Sequence, residues 1–400
     1  MAVDPDPGQP DSPYAALFRQ YIQRSTQATL AAVQSAGPAL RAEQREQSLH
    51  TLEFALELPE AWPDTRDLLL LLAPKLDQAG MRQDAIPYLQ RGIERCQTAG
   101  DLAGQAGMEL LLGTLLATLG RMDEARSLTS ASAAHFEAVG DRHHQARALN
   151  SLAYLDHLQQ HGDRAAQLVQ QAMSLVTPED TETSHSHFIL GRLAVDSRDW
   201  PAALHHSEQA LAGWRRHDNP VMMARSLANL GTAQRGSGQV DAAVASFTQA
   251  IALMGELDDP VNQAITRMNL GNLYWAVGQP QQAMAHFVQA EPVFRQAQDQ
   301  QWLARINTNM GVVHVQLGQW QQAHAALTTA IDLNRMIGDR RAAANALDSL
   351  GELHLRQGRP AAAMTCLEQA IAELGDLATK PGYAELVAEI QGHMDEAREL

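Results

Sequence analysis

Four glycines, Gly231, Gly271, Gly311 and Gly351, stand forty residues apart, and each follows Leu or Met (Leu230, Leu270, Met310, Leu350). Upstream the same slot is filled by Gly191, Ala153, Gly113 and Ala73, with one two-residue deletion between Ala153 and Gly191. A second small-residue series keeps step: Ala85, Ala125, Ala165, Ala203, Ala243, Ala283, Ala323 and Ala363 each lie twelve residues after their partner. A fixed period of this length predicts a repeat architecture, in which each unit buries its apolar face only against its neighbours.

Spacing around each small residue is helical. Leu227, Leu230, Gly231 and Gln234 follow i, i+3, i+4, i+7, as do Leu347, Leu350, Gly351 and His354. Glycine inside a helix costs about 1 kcal/mol relative to alanine, so its recurrence predicts close approach of a neighbouring backbone. Gly80, Gly120, Gly238, Gly278, Gly318 and Gly358 punctuate the first helix of a copy, and Pro201, Pro280 or Pro360 falls near the start of the second. Gly100-Asp101, Gly140-Asp141, Asn219-Pro220, Asp259-Pro260 and Gly338-Asp339 close the second helix. The expected unit is an antiparallel helical hairpin.

These residues resemble the tetratricopeptide repeat family. One copy supplies Leu227, Leu230, Gly231, Ala243, Phe247 and Ala250, with Gln234 where the family has an aromatic; the next supplies Leu270, Gly271, Tyr274, Ala283, Phe287 and Ala290. In later copies Leu327 and Leu367 replace the second aromatic, and Ala330 and Ala370 keep the late alanine slot. The forty-residue spacing exceeds the common thirty-four and is similar to the longer-helix variety of kinesin light chains and bacterial peptide receptors. The resemblance implies an all-α, right-handed α-solenoid of about eight antiparallel hairpins with helical caps at both ends. We expect a flexible acidic tail over 1–13, an N-terminal helical cap or degenerate repeat over 14–63 with helices near 14–36 and 39–58 broken at Gly37-Pro38, eight repeats over 64–378, and a C-terminal capping helix over 379–400.

In this family the first helices line a concave groove, and the resemblance carries that role onto Arg147, Asn150, Tyr154, His185, Phe188, Arg192, Arg225, Arg235, Asn272, Trp275 and Arg305. Five arginines face one acid, Asp196, in a chain whose net charge is −16. Guanidinium forks on such a strip would pair with the carboxylates of an acidic or extended peptide, with the aromatics as anchors. Against this, Lys75 and Lys380 are the only lysines, so arginine would also stand on any solvated face. Asn229, Asn269 and Asn309 would bond either a ligand backbone or the neighbouring helix.

Ten of sixteen histidines lie between His135 and His217, but only His157 and His161 have helical i, i+4 spacing, with His185 of the next copy near enough to join. We expect surface histidines or a pH response and no metal or other cofactor. No GxxxxGK, GxSxG or CxxC occurs, and nothing places a catalytic triad, so the expected protein is not an enzyme. A pI near 5.4 argues against nucleic acid. The run Leu68 to Ala73 is too short to span a membrane. Cys96 and Cys366 are too far apart to pair, and the N-terminus has no apolar signal core, so cytoplasmic residence is expected. Function then divides between an adaptor that holds a partner's peptide segment and a sensor that a small peptide or metabolite closes, with self-association or occupancy by its own acidic tail as a third option.

Overall fold

The computed structural model describes residues 13–36 and 40–400. The acidic tail, save Pro13, and the Gly37-Pro38 break lie outside the described residues. The described chain is all helical, without strands, and forms two compact units, 1–193 and 194–400, whose boundary falls inside one helix. Unit 1 contains α1 (Pro13–Ser35), α2 (Ala42–Ala55), α3 (Trp62–Gln78), α4 (Arg82–Ala99), α5 (Leu102–Thr118), α6 (Met122–Ala138), α7 (Arg142–Leu158), α8 (Gly162–Leu175) and most of α9 (Thr181–Asp196). Unit 2 continues with α10 (Trp200–Arg216), α11 (Pro220–Gly236), α12 (Val240–Glu256), α13 (Pro260–Ala276), α14 (Pro280–Gln296), α15 (Gln300–Gln316), α16 (Trp320–Ile337), α17 (Arg340–Arg356), α18 (Pro360–Leu374) and α19 (Ala384–Glu399). Within each unit consecutive helices pair antiparallel as α-solenoid hairpins; the two-residue deletion falls at α8, which has 14 residues where most helices have 17.

Local chemistry sets the corners. Asp101, Asp141, Asn219, Asp259, Asp299 and Asp339 each cap a first helix by accepting the backbone N–H three residues on, at 2.9–3.2 Å. Gly80, Gly120, Gly238, Gly278, Gly318 and Gly358 end first helices in the left-handed region, at φ 69° to 77°. Gln160 (φ 61°) and Arg198 (φ 57°) hold the same corner in the two copies that lack the glycine, and Asp218, Asp258 and Gln298 (φ 49° to 53°) do so at the ends of second helices. The corner geometry is therefore common to copies whose sequences differ there.

Inside each hairpin the small-residue series meet large ones. A Cβ built on Gly231 would stand 2.8 Å from Cδ1 and Cε1 of Phe247, and one on Gly351 would stand 2.8 Å from Cδ2 of Leu367. Gly271 lies against Phe287 and Gly311 against Leu327 in the same way. The glycine thus makes room for a bulky side chain of the paired helix, which corrects the expectation of backbone against backbone. Gly113 is intermediate, with Ala125 O at 3.1 Å and the Thr129 hydroxyl at 2.5 Å from its virtual Cβ. The alanine series is buried throughout, from Ala85 to Ala363, at 2 % exposure or less.

Unit 1 has a core of leucines around Leu68, Leu72, Leu89 and Met108, continued by Phe136, Leu149 and Leu152. Unit 2 is built around Phe247, Phe287, Phe294, Leu327 and Leu367. At its end α19 inserts Leu386 and Ile390 among Leu347, Leu350 and Leu374 and turns Glu385, Asp395, Glu396 and Glu399 outward. His393 of α19 lies 2.8 Å from Asp348 of α17.

Candidate functional site

In unit 1 the residues singled out in the sequence gather on the first helices α7 and α9. Arg192 donates through Nε to His157 Nε2 at 2.9 Å, and its guanidinium carbon lies 5.7 Å from the Tyr154 ring centroid. The aromatic face and the imidazole hold the cation in place. One turn away, Asn150 donates to both the carbonyl and Oε2 of Glu182, at 3.0 Å each, and accepts from Ser186 Oγ at 2.8 Å. His185 Nδ1 is 3.5 Å from the same carboxylate. Burial would raise the Glu182 pKa, but His185, Asn150 and the nearby charge of Arg147 outweigh it and hold the carboxyl below its ordinary value.

Asn150 is 0 % exposed and Phe188 is buried, so neither stands on an open wall as the sequence reading expected. Asn150 joins α7 to α9 through an internal network, and Phe188 packs inward. Glu182 adds a second acid to the strip, one that sequence position did not reveal.

In unit 2, Arg225 and Arg305 are exposed and Trp275 is 43 % exposed. Arg305 lies 5.0 Å from the Trp302 ring centroid. Asn309 Nδ2 donates to Asn272 Oδ1 at 2.8 Å, which resolves the alternatives for Asn309 in favour of the neighbouring helix and occupies one acceptor site of Asn272. The Nδ2 of Asn229 is buried and makes no hydrogen bond among the described residues. Arg235 is half-buried, and burial alone pulls its guanidinium below the ordinary arginine value. Among the described residues, none of Arg147, Arg192, Arg225, Arg235 and Arg305 forms an ion pair. Arg66, Arg126, Arg335 and Arg340, away from this strip, each hold a carboxylate.

The histidine-rich segment is more engaged than surface histidines would be. His135 lies 2.8 Å from the buried Glu109, and His143 lies 2.9 Å from Asp180. His161 lies 3.5 Å from Asp156 and His144 2.8 Å from Asp141, while His157 faces Arg192. His157, His161 and His185 therefore take separate partners, and among the described residues no three metal-ligating side chains converge. Asp156, fully buried, is clasped by Arg126 of α6 and lies 3.7 Å from Arg164 Nε of α8. It occupies the slot filled by Tyr274 in a later copy; a charge in an aromatic slot was the available signal.

A family model for the tetratricopeptide repeat matches residues 222–296 and 302–372. These segments are tetratricopeptide repeats. Tetratricopeptide architecture also accounts for the structural likenesses. The Rap conjugation regulator of plasmid pLS20, solved with its Phr peptide, is 14% identical at TM-score 0.54, over 89% of this chain and 97% of that one. A Rap protein complexed with competence and sporulation factor is 13% identical at TM-score 0.55, over 84% of this chain and 97% of that one. A signal-transduction ATPase with a tetratricopeptide sensor from Pyrococcus horikoshii is 13% identical at TM-score 0.58; 88% of this chain aligns with about half, 55%, of that longer protein. No curated protein sequence matches the chain. Among the described residues no helix is long and apolar enough to cross a membrane.

Proposed function

We propose that this tetratricopeptide chain is a non-catalytic adaptor that binds an acidic or extended peptide segment on the arginine-bearing faces of its first helices. Arg235 carries the reading. A half-buried guanidinium without a carboxylate bears a desolvation cost that an incoming anion would offset. Arg225, Arg305 and the exposed Trp275 supply further charge and an aromatic anchor in the same unit. In unit 1, Arg192 on Tyr154 and Arg147 beside Glu182 offer a second cationic surface. The Phr complex supports a peptide ligand by analogy of fold. Two unpaired thiols, Cys96 and Cys366, suit a reducing compartment such as the cytoplasm.

Affinity capture of peptides by the intact protein, compared with a variant carrying Arg192→Glu, Arg225→Glu and Arg235→Glu, tests the proposal. The wild type should retain acidic peptides, weaken as salt rises, and lose them in the variant. Equal retention by both proteins would refute it. Compaction in solution scattering on adding a captured peptide would assign the sensor role instead of the adaptor role.

A further inference from the structure

The N-terminal helix α1 carries an apolar stripe that its own unit leaves open. Tyr14, Leu17, Phe18 and Tyr21 follow i, i+3, i+4, i+7 and are 60 %, 65 %, 54 % and 67 % exposed. The opposite side of the same helix, Ile22, Thr26, Leu30 and Val33, is buried. The stripe does not end at α1. Phe18 meets Phe54 of α2 edge to face, with centroids 6.3 Å apart, and His50 meets Phe54 at 5.2 Å, so the surface extends across two helices.

Its margins differ in sign. α1 contains no acid, and the exposed Arg24 borders the band, three residues on from Tyr21 and seven from Leu17. On the α2 side, Glu46 and Glu53 are exposed, as is Glu57, which is paired with Arg91 at 2.6 Å. An apolar band with a basic flank on one side and an acidic flank on the other is complementary to a copy of itself: a two-fold axis along the band lays each flank on its opposite.

The area is of the right size for such a contact. Five large side chains, each with about half of its roughly 150–250 Å² open, give about 500 Å² a side and about 1,000 Å² for the pair, at the threshold of a specific interface. The twelve residues that precede α1 offer only Met1, Ala2 and Val3 as apolar side chains and carry Asp4, Asp6 and Asp11, the same sign as the α2 flank. Their acids would be repelled by the α2 flank, and three small or flexible apolar side chains are too few to cover the band.

We propose that the α1–α2 surface is a homodimer interface, in which the Tyr14, Leu17, Phe18 and Tyr21 band of one copy packs on that of a second. Sedimentation velocity on the full chain, from about 1 to about 100 micromolar, tests it. The wild type should pass from monomer to dimer across this range. Leu17→Glu with Tyr21→Glu, both at exposed positions, should weaken association at least tenfold with unchanged helical circular dichroism. Arg24→Glu alone should weaken it, and adding Glu53→Arg should restore it. A wild type that stays monomeric throughout, or a doubly substituted variant that dimerises equally well, overturns the proposal. A chain lacking residues 1–12 that dimerises tenfold more tightly than the full chain would make the tail the occupant, which also overturns it.

Discussion

Gly231 and Phe247 form a matched pair: the missing Cβ on α11 is the space in which the ring of α12 lies, 2.8 Å from where a methyl would stand. The same relation recurs between Gly351 and Leu367. The glycine's helix-propensity cost of about 1 kcal/mol is thus offset by burial of a large side chain.

Substituting Gly231→Ala should therefore lower stability, although alanine is the better helix former. Overpacking of this kind costs about 1–3 kcal/mol. Adding Phe247→Leu should recover part of the loss, because another copy pairs alanine with leucine at the same sixteen-residue spacing, Ala73 with Leu89, and buries both. Denaturant midpoints of the two single variants and the double variant check the coupling; strictly additive effects would contradict it.

The left-handed corners give a change of opposite sign. Asp258 and Gln298 hold φ of 53°, where a Cβ is strained, while glycine holds the matching corners at Gly100, Gly140 and Gly338. Asp258→Gly and Gln298→Gly should each stabilise by about 0.5–1 kcal/mol, the relief of left-handed strain less the entropy glycine adds to the unfolded chain. A fall in thermal midpoint for both would show that the side chains contribute more than the backbone costs.

Arg126 and Asp156 are coupled by burial. The Asp156 carboxylate is fully buried with Arg126 as its close partner, so Arg126→Ala leaves it only the more distant Arg164, at 3.7 Å, and His161, at 3.5 Å. The expected cost is about 3 kcal/mol, and Asp156→Asn in the same chain should recover a large part of it. A double variant no more stable than Arg126→Ala would contradict the assignment.

The packing of α19 should weaken as pH rises. His393 has its pKa raised, first by its hydrogen bond to Asp348 and then by the charges of Asp348, Glu352 and Glu389, against opposing burial. A histidine raised above its ordinary value of about 6.5 stabilises fully below that value and loses the contribution as pH climbs through the raised one. Glu389, raised mainly by burial and then by Asp348, Glu352 and Glu385 against the lowering influence of His393, acts in the same direction at lower pH. Amide exchange of α19 should quicken between pH of about 6 and 8 beyond the intrinsic rate, and His393→Gln should flatten that change. An unchanged profile in the variant would remove His393 as the cause.

The forty-residue period was sufficient to place the helices, because glycine, alanine and the leucine stripe act within a hairpin and its immediate neighbour. Helix caps such as Asp101 and Asp339 were equally legible, since a cap is satisfied three residues away. The candidate site was only partly readable. Position along α7 marks Asn150 as facing the strip, but whether it meets solvent depends on Glu182 and Ser186 of the next helix. Arg225 and Arg235 look alike in sequence, and only the packing around them leaves one exposed and the other half-buried.

By itself, then, the sequence determined what local and periodic interactions determine: helix positions, hairpin corners and the small-residue slot in each hairpin. Tertiary structure decided which polar groups are paired, which are buried and which stay open, from the His157–Arg192 contact to the uncovered face of α1. Those outcomes depend on desolvation and on partners about thirty residues away or on separate helices, distances at which a side chain's own sequence neighbours carry no information.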